Sequence, residues 1–133
     1  MVYQKQNMNS SEILIGIWGN GHDSEMVISG ATDGIISGTY KSNVSREGGS
    51  LVAKSFTGSY SRTDYGLLIA FIAHWQYTDK DGDEHWSCTS WSGQIWSDDL
   101  ESMDSTWILS SAIAKKDSWR SVLTNKDVFT KII

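Results

Sequence analysis

The amino-acid sequence predicts an all-β fold, an eight-stranded antiparallel up-and-down β-barrel. Apolar residues recur with a period of two along most of the chain, which is the pattern of strands rather than of helices. Proline is absent and there are 12 glycines, which favours a continuous meander with short turns. About eight strands can be delimited, and eight is the number at which a barrel interior just holds side chains or one small ligand.

The alternation of apolar and polar residues delimits the strands, and turn residues separate them. The expected strands are residues 12–20, 24–29, 35–44, 51–60, 65–77, 86–96, 105–111 and 121–132. Asp33 and Gly34 form a dipeptide that favours a tight hairpin, because both residue types tolerate a positive φ. Residues 112–119 lack alternation, so we expect a loop or a helical turn there that carries Trp119. An even-stranded meander can pair its first strand with its last, which closes the barrel and removes both edges.

Composition limits the classes of function. We expect a flexible N-terminal segment at residues 1–12 and a single domain at residues 13–133, since 133 residues suffice for one full core. A formal net charge of −5 disfavours a nucleic-acid-binding surface, and no apolar run approaches a membrane span. Seven tryptophans in so short a chain favour interfaces and ligand sites. Cys88 is the single cysteine, which excludes a disulfide within the chain.

The strand at residues 65–77 is apolar on both faces. Leu67 and Phe71 lie on one face, and Leu68 and Ile72 lie on the other. The outer face of a small closed barrel normally meets water. We therefore expect another subunit to cover the outer face of this strand.

The strand at residues 86–96 also has two unlike faces. One face combines the small hydroxyls of Ser87 and Thr89 with the indole of Trp91, whereas the other carries Trp86 and Trp96. Small hydroxyls beside an indole are typical of a pocket wall for a flat, partly polar small molecule. The alternative is a sandwich strand with Ser and Thr as surface filler, and this stretch alone does not decide between the two.

Polar residues of other strands share the predicted faces of the aromatic ones. The polar set is Asn20, Ser24, Tyr40, Ser42, Ser87, Thr89 and Asp127. The aromatic set is Trp75, Trp91, Trp107 and Trp119. Each polar residue alone is more often a satisfied core group or a turn residue. Together they offer the donors and acceptors that one flat polar ligand would need.

Several short motifs follow one another in a specific order. They are Gly-Ile-Trp-Gly-Asn at 16–20, Asp-Gly-Ile-Ile-Ser-Gly-Thr-Tyr-Lys-Ser at 33–42, Phe-Thr-Gly-Ser-Tyr at 56–60, His-Trp at 74–75, Ser-Cys-Thr-Ser-Trp-Ser-Gly-Gln at 87–94, Thr-Trp-Ile-Leu at 106–109, and the stretch 119–129. In this order they resemble the avidin–streptavidin family of biotin-binding proteins, over about residues 15–131. The resemblance implies an avidin-like barrel that binds biotin non-covalently and with high affinity, and that is not an enzyme.

The resemblance implies that the ureido group of biotin binds between the early strands and the last one. The ureido oxygen would accept hydrogen bonds from Asn20, Ser24 and Tyr40, an arrangement like an oxyanion hole that here serves binding. The two ureido N–H groups would donate to Ser42 Oγ and to the Asp127 carboxylate. The bond to Asp127 would be the stronger of these two because it is charge-assisted.

The resemblance places the rest of the ligand against the middle strands. Thr89 would donate to the thioether sulfur, and Ser87 would contact the valerate carboxylate. The residues implied to line the rings and the aliphatic chain are Val44, Trp75, Trp91, Trp107 and Leu109. His22 departs from the pattern, since streptavidin has a leucine there, and it makes the mouth more polar. Arg46 replaces a loop residue beside the carboxylate, and we expect its side chain to point to solvent.

The resemblance also implies how the protein assembles and where it works. We expect a homotetramer in which Trp119 enters a neighbouring pocket, with a dimer as the alternative because Lys126 lies near the usual inter-subunit contact. Biotin is the expected ligand, with no cofactor, no metal, no nucleic acid and no membrane as partners. The family is mostly secreted, which implies a secreted or periplasmic protein, although residues 1–12 lack the apolar centre of a signal peptide.

The residues alone leave two other functions to consider. A lipocalin-like carrier of a more apolar ligand would share the motifs at residues 16–18 and 63–65, but their spacing is too short and the pocket is too polar. An enzyme is the rival from a different class. Its candidate histidines would be His22, His74 and His85, but no nucleophile–base set or paired carboxylates accompany them in the sequence.

Overall fold

The computed structural model describes residues 8–42 and 51–133. A short helix, α1 (Ser10–Leu14), comes first within these ranges. The strand segments are β1 (Gly16–Gly19), β2 (Glu25–Thr32), β3 (Ile35–Ser42), β4 (Leu51–Val52), β5 (Ser55–Thr63), β6 (Gly66–Thr78), β7 (Glu84–Trp96), β8 (Ser102–Ser111) and β9 (Val122–Lys131). A 3₁₀ helix at Lys115–Arg120 connects β8 to β9, in the stretch where we expected a loop or a helical turn.

The strand segments form one closed antiparallel sheet. Their order is β2-β1-β9-β8-β7-β6-β5-β3-β4, and β2 also pairs with β3, which closes the circle. β4 and β5 are two parts of one barrel strand, because both pair with β3 and the Ala53 N–H between them donates to Tyr40 O at 2.9 Å. The protein is therefore an eight-stranded antiparallel β-barrel, and the predicted fold class is confirmed.

The start of the domain differs from the prediction, because α1 replaces the beginning of the expected first strand. The Asn9 side-chain oxygen accepts from the backbone N–H of Glu12 at 2.8 Å, and Glu12 Oε1 accepts from the Asn9 N–H at 3.2 Å. This capping box satisfies N–H groups that a first helical turn leaves unpaired. α1 then buries Ile13 and Leu14, and the first strand begins only at Gly16.

Burial along β6 separates the inside of the barrel from the outside. Leu67 and Phe71 are buried in the core, whereas Leu68 and Ile72 are 48% and 41% exposed on the outer face. Exposure follows the alternation that the sequence shows. The outer face of β6 is thus apolar and open to solvent in a single chain.

The two ends of the barrel are different. α1 lies at the end that carries the β5–β6 and β7–β8 turns, where Ile13 meets Thr63 and Leu100 around a small cleft. Lys131, at the end of β9, donates from Nζ to Ile13 O at 2.8 Å and so holds α1 against the barrel. No helix within the described ranges has the length and apolar character that crossing a bilayer requires. The opposite end of the barrel is open.

Candidate functional site

The open end of the barrel leads into a pocket of about 970 Å³. The end of β6, the start of β7 and the segment between β8 and β9 contribute to its mouth. The predicted site residues that line it are Asn20, Ser24, Tyr40, Ser42, Trp75, Ser87, Thr89, Trp91, Trp107, Leu109 and Asp127. The fold thus brings together side chains that are more than a hundred residues apart in the sequence, such as Asn20 and Asp127.

One predicted site residue within the described ranges is not part of this lining. Trp119 belongs to the 3₁₀ helix, is 81% exposed, and is not among the residues that line the pocket of its own chain. Val44 and Arg46 lie outside the described residues.

Asn20 is oriented by its own turn, directly after β1. Its side-chain oxygen accepts from the backbone N–H groups of His22 at 2.9 Å and Ser24 at 3.1 Å. This local pattern is the one by which Asn stabilises turns. It directs the amide nitrogen to the other side, where Nδ2 lies 3.4 Å from Asp127 Oδ2. Asn20 therefore presents a donor to the pocket and not an acceptor.

Tyr40 is deeply buried at the inner end of the site, where it is only 4% exposed, as is Ser24. Burial is the largest cause that raises the pKa of its phenol above the ordinary value of 10.0. A side-chain hydrogen bond with Ser24 lowers that pKa by less, and the negative charge of Asp127 raises it further. The phenol is therefore protonated at neutral pH, so Tyr40 can donate a hydrogen bond.

Asp127, on β9, supplies the carboxylate at the inner end of the pocket, beside Asn20 and Tyr40. Its backbone carbonyl accepts from Ser105 Oγ at 3.0 Å, which ties this part of β9 to β8 beyond the normal ladder. The contact of its Oδ2 with Asn20 is long for a hydrogen bond, so the carboxylate retains capacity to accept another donor.

Aromatic rings form the wall around these polar groups. The ring of Tyr40 packs edge-to-face on Trp75 at 5.5 Å and lies 4.8 Å from the ring of Trp91. Trp75 Nε1 donates to Thr89 Oγ1 at 3.0 Å. A hydroxyl that accepts in this way still has its own proton, so Thr89 can donate to a ligand atom.

The indole N–H of Trp91 has no hydrogen-bond partner among residues 8–42 and 51–133, although it is buried. A buried donor without an acceptor destabilises a protein by roughly 1–3 kcal/mol. The described part of the chain therefore leaves one hydrogen-bonding group of a pocket-lining residue unsatisfied.

The mouth of the pocket contains residues that we did not assign to the site from the sequence. They are Leu51, Tyr77, Glu84, His85, Trp86, Ser111, Ala112, Ile113, Arg120 and Leu123. Most of them lie at strand ends or in connections, where a period of two is a weak signal. His22, which we expected at the mouth, is also part of the lining.

Two contacts of His85 hold together the hairpin between β6 and β7 at this mouth. His85 stacks on Tyr77 with ring centroids 4.6 Å apart, and its Nε2 lies 2.8 Å from Asp79 Oδ2. This bond with His85 is the largest cause that lowers the pKa of Asp79, followed by the backbone N–H of Asp83. Asp79 is therefore a turn-forming carboxylate, whose Oδ1 accepts from the backbone N–H groups of Asp81 and Asp83.

The described residues offer a binding arrangement rather than a metal site. No group of three or more His, Cys, Asp or Glu side chains within residues 8–42 and 51–133 could hold a metal ion. The inner end presents donors from Asn20, Ser24 and Tyr40 beside the Asp127 carboxylate, inside an aromatic wall. Such a set can fix a flat molecule that carries both a carbonyl and N–H groups.

Comparison with known proteins agrees with this geometry. The chain is similar to the crystal structure of Xenavidin, with a TM-score of 0.72 and 25% sequence identity, over 92% of this chain and 100% of that one. The family model described as the avidin family matches residues 8–132, which is nearly the whole sequence. The chain belongs to the avidin family.

Proposed function

We propose that this protein binds biotin non-covalently in the barrel pocket and catalyses no reaction. The observation that carries the proposal is the convergence of three donors, from Asn20, Ser24 and Tyr40, beside the Asp127 carboxylate. Membership of the avidin family, a family of biotin-binding proteins, supports it.

The ureido group of biotin has one acceptor oxygen and two N–H donors, and the inner end of the pocket offers the complementary groups. Asn20 Nδ2, the Ser24 hydroxyl and the protonated Tyr40 phenol would donate to the oxygen. Ser42 Oγ and the Asp127 carboxylate would accept from the N–H groups. The three donors stabilise negative charge on the oxygen, while Asp127 stabilises the positive end of the same polarised group.

The remainder of biotin is apolar apart from its sulfur and its carboxylate. Trp75, Trp91, Trp107 and Leu109 would pack against the rings and the methylene chain. Thr89 would donate its free proton to the thioether sulfur, since its oxygen already accepts from Trp75. Ser87 lies two residues before Thr89 on β7, on the same face and nearer to the mouth, and it would contact the carboxylate.

We propose that the protein assembles as a homotetramer and that Trp119 enters the pocket of a neighbouring subunit. Two observations support this assembly. Trp119 is an almost fully exposed indole beside the pocket mouth, where it would expose a large apolar surface to water in a monomer. Ile72 on β6 and Ile108 on β8 are exposed on the outer face on either side of β7, and a second subunit would remove them from water.

Titration calorimetry with biotin tests the proposed function. We expect strong saturable heat with biotin, and little or none with a long-chain fatty acid or a retinoid, because the inner end of the pocket is polar. Strong binding of the apolar ligands together with absent heat from biotin would favour a lipocalin-like carrier and reject the proposal.

A further inference from the structure

Arg120 is the one arginine or lysine among the pocket-lining residues of the described ranges. It is the last residue of the 3₁₀ helix Lys115–Arg120 and comes just before β9. The whole chain has a net charge of −5, and the same 3₁₀ helix carries Lys115 and Lys116, which do not line the pocket.

Among residues 8–42 and 51–133, the guanidinium of Arg120 has only a weak contact. Within the described ranges its ion pair is with Asp117, where Nη2 and Oδ2 are 4.0 Å apart, at the limit for such a contact. The side chain of Arg120 is 53% exposed. A long, exposed ion pair between residues three apart contributes little free energy. The guanidinium can therefore exchange this contact for a better anion.

Arg120 lies at the opposite end of the pocket from the polar group that would hold the ureido ring. Leu123 and Asp127 both line the pocket from β9, and four residues of a strand span roughly 13 Å. Arg120 precedes Leu123 in the chain, and it therefore lies still farther from Asp127, toward the mouth of the pocket. A ligand whose head is held at Asp127 would carry its tail toward Arg120.

We infer that Arg120 binds the carboxylate at the tail of the ligand and makes the pocket selective for the free acid over its amide. The inference rests on the proposed binding of biotin. A guanidinium can present two parallel N–H donors to a carboxylate, which makes this pairing stronger and more directional than one with a neutral amide. Arg120 is then a specificity-determining residue, additional to the hydroxyl of Ser87.

Glu84 is the carboxylate that could compete for Arg120, since it lines the same mouth. No ion pair joins Arg120 to Glu84 in the described part of the chain, and the nearest carboxylate partner of Arg120 is Asp117. His22 and His85 also line the mouth. His85 is turned to Asp79, so it is not the residue that best fits a ligand carboxylate.

The test compares biotin with biotin amide, which has the same rings and chain but no charged tail. Affinities of both ligands are measured for the wild type and for Arg120→Gln, Arg120→Lys, Lys116→Gln and Arg46→Gln, at low and at high salt. We expect the wild type to prefer biotin by roughly threefold to tenfold at low salt, and less at high salt. Arg120→Gln should remove this preference without changing the affinity for the amide.

The control variants separate charge from position. Lys116→Gln removes a positive charge from the same 3₁₀ helix at a residue that does not line the pocket, and it should keep the preference. Arg120→Lys should keep part of it, since the charge remains but the planar pair of donors is lost. Arg46→Gln tests the other arginine that the sequence places near the tail, and it should leave the preference intact.

Two failures can be told apart. If biotin and its amide both bind and their ratio is unchanged in Arg120→Gln, or is lost only in Arg46→Gln, the role of Arg120 is rejected and the proposed function stands. If neither ligand binds the folded wild type, the proposed function is rejected and this inference with it. The salt dependence of the wild-type ratio needs no variant, and a ratio that salt does not change also contradicts the inference.

Discussion

Tyr40 is the residue whose ionisation the fold changes most clearly. Its pKa is raised above 10.0, chiefly because the phenol is removed from water. In the unfolded chain the same phenol has its ordinary pKa. Above about pH 10 the unfolded state therefore holds fewer protons than the folded state, and the free energy of unfolding falls as the pH rises.

We predict that this alkaline loss of stability depends on Tyr40. Urea unfolding between about pH 9 and about pH 11 should show a steeper decline for the wild type than for Tyr40→Phe, which has no proton to lose there. Tyr60→Phe is the matched control, because Tyr60 lies on β5 outside the pocket lining, and it should follow the wild type. Parallel curves for the wild type and Tyr40→Phe would contradict the prediction.

A second prediction concerns the binding of biotin by the polar residues at the inner end of the pocket. Asp127→Ala and Tyr40→Phe should each weaken biotin by roughly 1–3 kcal/mol, because each removes a partner of a buried polar ligand atom. Asp104→Ala is the control for Asp127, since Asp104 is exposed on the neighbouring strand β8. Competition calorimetry measures the change. Unaltered biotin affinity in both pocket variants would reject the assigned pocket.

The sequence predicted the inner residues of the pocket better than the outer ones. Thr89 and Trp91 lie on one face of a strand, so alternation alone relates them, and the family resemblance adds Asn20 and Asp127 from distant strands. Arg120 was missed because a 3₁₀ helix has no period of two, and whether its side chain reaches the pocket depends on how β8 and β9 are connected. No local sequence pattern indicates where the fold places such a side chain.

At the scale of the element, α1 shows where a sequence pattern misleads. Leu14 and Trp18 have even spacing, which favoured one strand beginning near residue 12. The capping box of Asn9 and Glu12 instead starts a helix, and Trp18 Nε1 then donates to Leu14 O at 2.9 Å across the junction. A single helical turn is too short to show its own periodicity, so the cap was the signal to use.

We predict that the cap stabilises the protein measurably. Asn9→Ala should lower the free energy of unfolding by about 1 kcal/mol, because the Glu12 N–H loses its acceptor at the start of α1. Asn9→Asp keeps a side-chain oxygen in place and should stay near the wild type. Urea denaturation gives both values, and equal stability of Asn9→Ala and the wild type would contradict the role of the cap.

The β2–β3 hairpin shows the opposite case, in which local sequence decided the structure. Asp33 and Gly34 have φ values of 54° and 80°, as the dipeptide predicts for a two-residue turn. Thr32 pairs with Ile35 directly beside this turn, and this register holds as far as Gly30, before it shifts between Gly30 and Ile28. Strand positions are therefore predictable where a turn signal is strong, and less so at a terminus.

At the scale of the whole molecule, closure of the barrel fixes the pocket and leaves one face unpartnered. Ile72, Ser90 and Ile108 lie side by side across β6, β7 and β8, and both isoleucines face outward and are exposed. This row has an exposed isoleucine at each end and a serine between them, which gives a partly apolar surface that a protein–protein contact would remove from water. This face supports the proposed homotetramer.

We predict that Ile108→Lys weakens assembly, because a charge would have to be buried in the contact. Light scattering should show the mass of four chains for the wild type and a smaller mass for the variant at the same concentration. Ile35→Lys is the control, since Ile35 is an exposed isoleucine beside the β2–β3 turn and outside the row. A wild type that is monomeric at every concentration would contradict the proposed assembly.

A closed sheet also means that the described strands that line the pocket hold one another in place before a ligand binds. The walls are strands paired on both sides, and Asn20 is held by its own turn before any ligand arrives. Groups that are already positioned lose little conformational entropy on binding, which favours high affinity. We therefore expect the ureido group to lie against these fixed side chains.

A crystal structure with biotin bound measures that placement most directly. We predict that the ureido oxygen lies within about 2.7–3.2 Å of Asn20 Nδ2, Ser24 Oγ and Tyr40 Oη, with one ureido N–H donating to Asp127. The tail should point to the mouth of the pocket. Biotin bound in the reverse direction, with its carboxylate at Tyr40 and Asp127, or bound outside the barrel, would contradict the account.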